Sequence, residues 1–107
     1  MTMKKIDLGA LGWTVARHVR EYREARNLGY AELSRRLDGL GRRIPPLGLR
    51  QIEKGERRVD VDDLDALAQA LHIELWLLLM PHRLSPEETI ERADALDEIY
   101  RQTGQTP

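Results

Sequence analysis

Between Val15 and Tyr100 the apolar residues recur every three or four positions, and each run is broken off by glycine, proline, asparagine or aspartate. A recurrence near 3.6 residues marks one side of a helix, whereas a half-buried strand alternates with period two. The chain has no phenylalanine, two tryptophans and three tyrosines, so its core is drawn from Leu, Ile, Val and Ala rather than from the aromatic residues that strands favour. An all-α fold follows. A chain of 107 residues holds one small domain, or one small domain with an appended element.

Val15, Val19 and Tyr22 set the inner face of a first helix over residues 14–26, closed by Asn27 and Gly29. In "YAELSRRL" either Ala31 or Leu33, with Leu37, faces inward; Gly29 is a weak N-cap and Asp38-Gly39 ends the helix. "GLGRRIPP" is a loop by its Gly, Arg and Pro content. Pro45 or Pro46 suits the first turn of a third helix, where a missing N–H costs nothing; it runs to about Lys54 with Leu49 and Ile52 inward and Gly55 as C-cap. Asp60 reads as the N-cap of a fourth helix from Val61 to Leu71. Asp62 and Asp63 sit in its favourable first turn, and Val61, Leu64, Leu67, Ala68 and Leu71 share a face. "IELWLLLMP" is expected to form a short fifth helix before Pro81. Ser85-Pro86-Glu87-Glu88 is a start signal in which Glu88 can close a capping box, leading a C-terminal helix with Ile90, Ala93, Leu96 and Ile99 or Tyr100 on one stripe. The expected division is a five-helix domain over residues 1–81 and a C-terminal amphipathic helix over residues 82–107.

Charge is polarised along the chain. Residues 1–16 carry two Lys and one Asp, residues 17–58 twelve Lys or Arg against six Asp or Glu, and residues 59–107 three Arg against eleven Asp or Glu, which makes the net charge −1. Such a chain can show a basic face to a polyanion while its acidic part discourages loose association. With no cysteine there is no disulfide, thiolate metal site or cysteine nucleophile. The N-terminus has no apolar stretch long enough for a signal peptide, and "LWLLLM" is too short to span a bilayer, so a cytoplasmic protein with no membrane partner is expected.

Several kinds of site chemistry fail on spacing. His18, His72 and His82 lack metal-ligand spacing. "DVDDLD" lacks the central glycine of a calcium loop and has Leu71 where the twelfth-position glutamate belongs. Ser34 and Ser85 have no base at hand, and "DGLGRR" lacks the Lys-Ser/Thr ending of a phosphate loop. No catalytic residue, metal or cofactor is expected, and the chain reads as a non-enzyme.

"VREYREARNLGYAELS", "IPPLGLRQIEKG" and "VDVDDLDALAQALHI" together resemble, in order and apolar spacing, the phage repressor and Cro-type helix-turn-helix regulators, the xenobiotic-response-element-like type. "EKGERRVDVDDLDALAQAL" resembles regulators of actinobacteria and their phages. The likeness covers roughly residues 11–80 and is sharpest at Leu33, Ile52, Glu53 and Gly55. Two departures stand out. The connection between the second and third helices is about five residues longer than the tight turn of the motif. At the start of the third helix, where the family presents polar side chains to base edges, this chain has Pro46, Leu47 and Gly48.

The resemblance implies a sequence-specific regulator of double-stranded DNA, acting as a repressor, with the third helix in the major groove. Leu47, Arg50, Gln51 and Lys54 then face outward. Arg50 is matched to guanine O6 and N7, Gln51 to adenine or a phosphate, and Leu47 to a thymine methyl group. Arg42 and Arg43 in the lengthened loop are candidates for a groove or backbone contact. Lys54, Arg57, Arg58, Arg35 and the Tyr30 hydroxyl are candidates for phosphates, with Pro46 at the contact edge. By the same resemblance Arg23 pairs with Glu53 to orient the third helix.

Members of this family commonly pair and read two half-sites. Candidate dimer surfaces are Leu75 or Trp76, because "LWLLLM" holds more apolar residues than one face of a short helix buries, and the stripe Ile90, Ala93, Leu96, Tyr100. The alternative is that these two surfaces cover each other within one chain. Two further functions fit the same fold. One is an antitoxin that represses its own operon and holds a toxin through the C-terminal helix; the other is a protein-interaction adaptor that does not read DNA.

Overall fold

The computed structural model describes residues 6–80 and 86–103. Five α-helices and one 3₁₀ turn make up the regular structure, with no strand among the described residues. They are α1 (Ala10–Ala25), α2 (Tyr30–Gly39), α3 (Pro46–Glu53), α4 (Val61–Leu71), the turn Leu75–Leu78 and α5 (Pro86–Thr103).

Helix α1 starts one turn before the apolar periodicity does. Its first turn carries Leu11 and Trp13, both exposed, so no buried face marks it in the sequence. The piece expected as a fifth helix is a single 3₁₀ turn, too short for an α-helical ladder, and it buries Leu78. Ser85, the expected cap of α5, lies outside the described residues. At the start of α4 the sequence signal and the structure coincide. The Asp63 N–H donates to the Asp60 carboxylate at 2.7 Å, and the Asp60 N–H donates back to Asp63 at 3.3 Å, a reciprocal capping box. Val61, expected on the inner face of α4, is 77% exposed. As the first residue of the helix it precedes the turn that meets the core, and Asp63 is buried instead.

Helices α1 to α4 all terminate the same way. Leu28 N–H reaches Arg23 C=O, Arg42 N–H reaches Leu37 C=O, Glu56 N–H reaches Gln51 C=O, and Ile73 N–H reaches Ala68 C=O, at 3.0, 3.0, 2.8 and 3.0 Å. Each of these bonds spans a left-handed residue: Asn27, Gly41, Gly55 and His72, with φ between 54° and 79°. This is the Schellman arrangement, which satisfies carbonyls at the helix end and turns the chain sharply. Glycine at 41 and 55 takes that conformation without the Cβ penalty. At Gly55 there is a second requirement, since a Cβ there would fall on the indole of Trp13.

The core is one cluster. Val19 and Tyr22 from α1, Leu33 and Leu37 from α2, Leu49 and Ile52 from α3, Leu67 and Leu71 from α4, and Leu78 from the 3₁₀ turn are all but inaccessible. Of the two α2 alternatives, Leu33 is inward and Ala31 exposed. His18 is also buried and its Nδ1 lies 3.1 Å from the Leu78 carbonyl, tying α1 to the 3₁₀ turn. Helix α5 packs on α1 with Ile90 buried. Arg26, at the end of α1, reaches both neighbours. It donates to the Leu71 and His72 carbonyls at the C-terminus of α4 (2.9 Å each) and to Asp94 of α5 at 3.0 and 3.1 Å. Those carbonyls carry the negative end of the α4 dipole, so the cation is well placed.

Candidate nucleic-acid interface

Helix α3 is held from behind and exposed in front. Its rear contact is an ion pair between α1 and the last residue of α3. Arg23 Nε donates to Glu53 Oε2 at 2.7 Å and Nη2 to Oε1 at 3.1 Å, with side-chain exposures of 12% and 3%. Arg23 also donates to the Leu28 carbonyl at 2.8 Å and lies 4.1 Å from the centre of the Tyr30 ring. The fork geometry and these extra bonds satisfy the charges taken out of water. Hydrogen bonding to Glu53 pushes the Arg23 guanidinium pKa further up, keeping it charged.

Tyr30 differs from its expected place. Its hydroxyl donates to Glu53 Oε1 at 2.9 Å, so it belongs to the bracket that orients α3 rather than projecting to a phosphate. Burial first, and the Glu53 hydrogen bond second, push this phenol's pKa up.

On the open side of α3, Leu47 (65%), Arg50 and Lys54 are exposed and Gln51 is half-buried. Spaced at i, i+3, i+4 and i+7, these four share one helix face. Among the described residues neither Arg50 nor Lys54 has a side-chain hydrogen bond or ion pair. Pro46 is exposed and Gly48 is buried. Arg57 returns from the loop after α3 and lays its guanidinium against Gly48, in the space a Cβ would occupy. A cation from beyond the end of α3 therefore covers its first turn, which no spacing rule signals. Arg58 donates to the Asp7 carbonyl at 3.0 Å, joining that loop to the segment before α1. Arg35 is exposed and pairs with Glu32 one turn earlier at 2.9 Å, a contact worth little on a solvated surface.

The connection between α2 and α3 spans residues 40–45 and is firmly held. Ile44, sequence-wise a loop residue, is fully buried. The Ser34 hydroxyl donates to the Ile44 carbonyl at 2.7 Å. Arg42, expected at the DNA edge with Arg43, has its guanidinium elsewhere. Nε donates to Asp63 and Nη2 to Asp60, each at 2.7 Å, so both capping carboxylates of α4 draw it toward that helix. Arg43 is exposed, and among the described residues its side chain has no polar partner.

Asp60 is thus held by the Asp63 backbone N–H and by Arg42, and the first of these does most to lower its pKa below the ordinary carboxylate value. A lowered folded-state value contributes stability at neutral pH, and this is lost as pH falls through the folded value. Asp60→Asn keeps a capping oxygen but not the charge. Urea unfolding of both chains is expected to show a stability gap that is full at pH 7 and narrows toward zero below the carboxylate range. A gap constant with pH would contradict this account.

Among the described residues no helix is long and apolar enough to cross a membrane. No curated protein and no solved structure matches the chain. The profile of the helix-turn-helix family HTH_3 matches residues 19–75, which takes in the latter half of α1, α2, α3, α4 and the start of the 3₁₀ turn. That span is more than half of the chain and includes the bracketed helix α3, and the protein therefore belongs to the helix-turn-helix family HTH_3, a family of DNA-binding transcription regulators.

Proposed function

We propose that the protein is a sequence-specific transcription repressor that enters the major groove of duplex DNA with α3. The observation that carries this reading is the two-sidedness of α3. Its rear is fixed to α1 and α2 through Arg23, Tyr30 and Glu53, while Arg50 and Lys54 stand on its open side with no partner among the described residues. A groove about 12 Å wide accepts a helix, and a fixed helix delivers its side chains in register. In this reading Arg50 forks onto guanine, Gln51 meets adenine or a phosphate, and Leu47 lies on a thymine methyl group. Lys54, Arg57, Arg58 and Arg35 contact phosphates, which set register and salt dependence without reading sequence.

Two copies reading half-sites about one helical turn apart would suit so small a contact surface. Support for a second copy comes from the exposed Trp76 of the 3₁₀ turn and from Leu96 and Ile99 of α5, which stay exposed although Ile90 is buried.

The test is a titration of duplex fragments at several salt concentrations. Arg50→Ala is expected to remove about 1–3 kcal/mol of preference at one base pair. Arg57→Ala is expected to weaken all fragments alike and to reduce the slope of log affinity on log salt by about 1. If Arg50→Ala leaves the preference among fragments unchanged, α3 is not the reading helix.

A further inference from the structure

We propose that the lengthened connection between α2 and α3 is a second reading element, built in advance of binding, in which Arg42 is a positioning residue and Arg43 contacts a guanine edge ahead of α3. This rests on α3 being the groove helix. The starting point is a deficit: Pro46, Leu47 and Gly48 offer no side-chain donor or acceptor to the base edges nearest the front of that helix. Arg43 lies three residues before Pro46, at most about 10 Å of chain away.

The connection is fixed at each of its joints. The left-handed Gly41 and the Arg42 N–H bond to Leu37 set its exit from α2. Arg42 is bridged to Asp60 and Asp63, Ile44 is sunk in the core with its carbonyl held by Ser34, and Pro45 and Pro46 have restricted φ. A residue that precedes proline favours extended backbone, and Pro45 itself is extended with ψ 160°. Arg42 turns toward α4 and Ile44 is sunk in the core, while Arg43 between them is exposed.

The charges argue for position over attraction. Arg42 carries one positive charge and its two partners carry two negative ones, so the group adds no pull on phosphates. What it supplies is a fixed backbone under Arg43. A guanidinium fork matches guanine O6 and N7, and a pre-ordered loop avoids the cost of ordering at binding.

The experiment selects binding sequences from a pool of duplexes with randomised positions, using the full chain, Arg43→Lys, Arg42→Ala, Arg42→Lys, the Arg42→Ala/Arg43→Lys double variant and Arg50→Ala, with affinities measured at two salt concentrations and melting temperatures recorded. Lysine at 43 keeps the charge and loses the fork. Arg43→Lys is expected to lose about 5- to 150-fold discrimination at one base pair that Arg50→Ala leaves intact, with the salt slope unchanged. Arg42→Ala is expected to blur the same base pair, Arg42→Lys to restore it in part, and the double variant to lose little beyond Arg43→Lys. If Arg43→Lys keeps preference at every position, Arg43 is a phosphate contact and the proposal fails. If Arg42→Ala weakens all sequences alike, its positioning role fails. Selection that depends on Arg50 and not on Arg43 overturns this inference alone, whereas a full chain that selects no sequence overturns the reading of α3 as well.

Discussion

Glu53→Ala is expected to lower the unfolding free energy by about 3 kcal/mol, the low end of the range for breaking a buried pair, because it strands a part-buried cation, its side chain 12% exposed, rather than deleting a surface contact. Arg23 would keep its Leu28 bond but lose both carboxylate bonds, at 2.7 and 3.1 Å, and the Tyr30 hydroxyl would lose its acceptor at the same time. The intact pair is worth much less than its rupture costs, since desolvation offsets most of the attraction. Glu53→Gln, which leaves an oxygen for Tyr30 and for one Arg23 donor, is accordingly expected to lose clearly less. Urea unfolding of the three chains measures this, with the midpoint falling in the order wild type, Gln, Ala. An alanine variant within about 0.5 kcal/mol of wild type, the range of ordinary surface changes, would show that the bracket does not hold α3. Because Glu53 is the last residue of α3, the same loss should broaden the orientations of the recognition helix at temperatures where the chain is still folded.

How much of this was legible in the sequence depends on how far the information lies along the chain. The start of α4 was legible at Asp60 because a cap, its reciprocal partner and the first turn lie within four residues. The open face of α3 was legible because Leu47, Arg50, Gln51 and Lys54 follow helical spacing against the inward Leu49 and Ile52. The Arg23 and Glu53 pairing was suggested by family likeness alone, since 30 residues separate them. Local reading failed where a side chain's partner lay on another element. Nothing near Arg42 marks its attachment to carboxylates 18 and 21 residues away. Arg57 returning over Gly48, and Trp13 over Gly55, are likewise contacts made only after the helices pack. The first turn of α1 was missed for the opposite reason: its apolar residues are exposed, so burial imposes no pattern on them.

Ile44 carries the same lesson into a measurement. In sequence it sits between two arginines and two prolines, where composition says loop, and loops ordinarily run over the surface. Here it is fully buried as a member of the one core cluster, so the loop contributes a core residue of its own. Ile44→Ala is expected to cost about 2–5 kcal/mol and Ile44→Val about 0.5–1.5 kcal/mol, the larger figure reflecting a cavity the helices cannot fully close. The Ser34 bond goes to the Ile44 backbone carbonyl and survives both changes, so the loss measures the side chain alone. The denaturation midpoint should fall with an unchanged m-value, as it does when packing is lost without a change in the surface exposed on unfolding. A loss near zero for Ile44→Ala would mean that the connection is an ordinary surface loop, and Arg43 would then have no fixed platform. A loss in the expected range, by contrast, makes residues 40–45 part of the folding unit, and a connection longer than a tight turn then need not be a looser one.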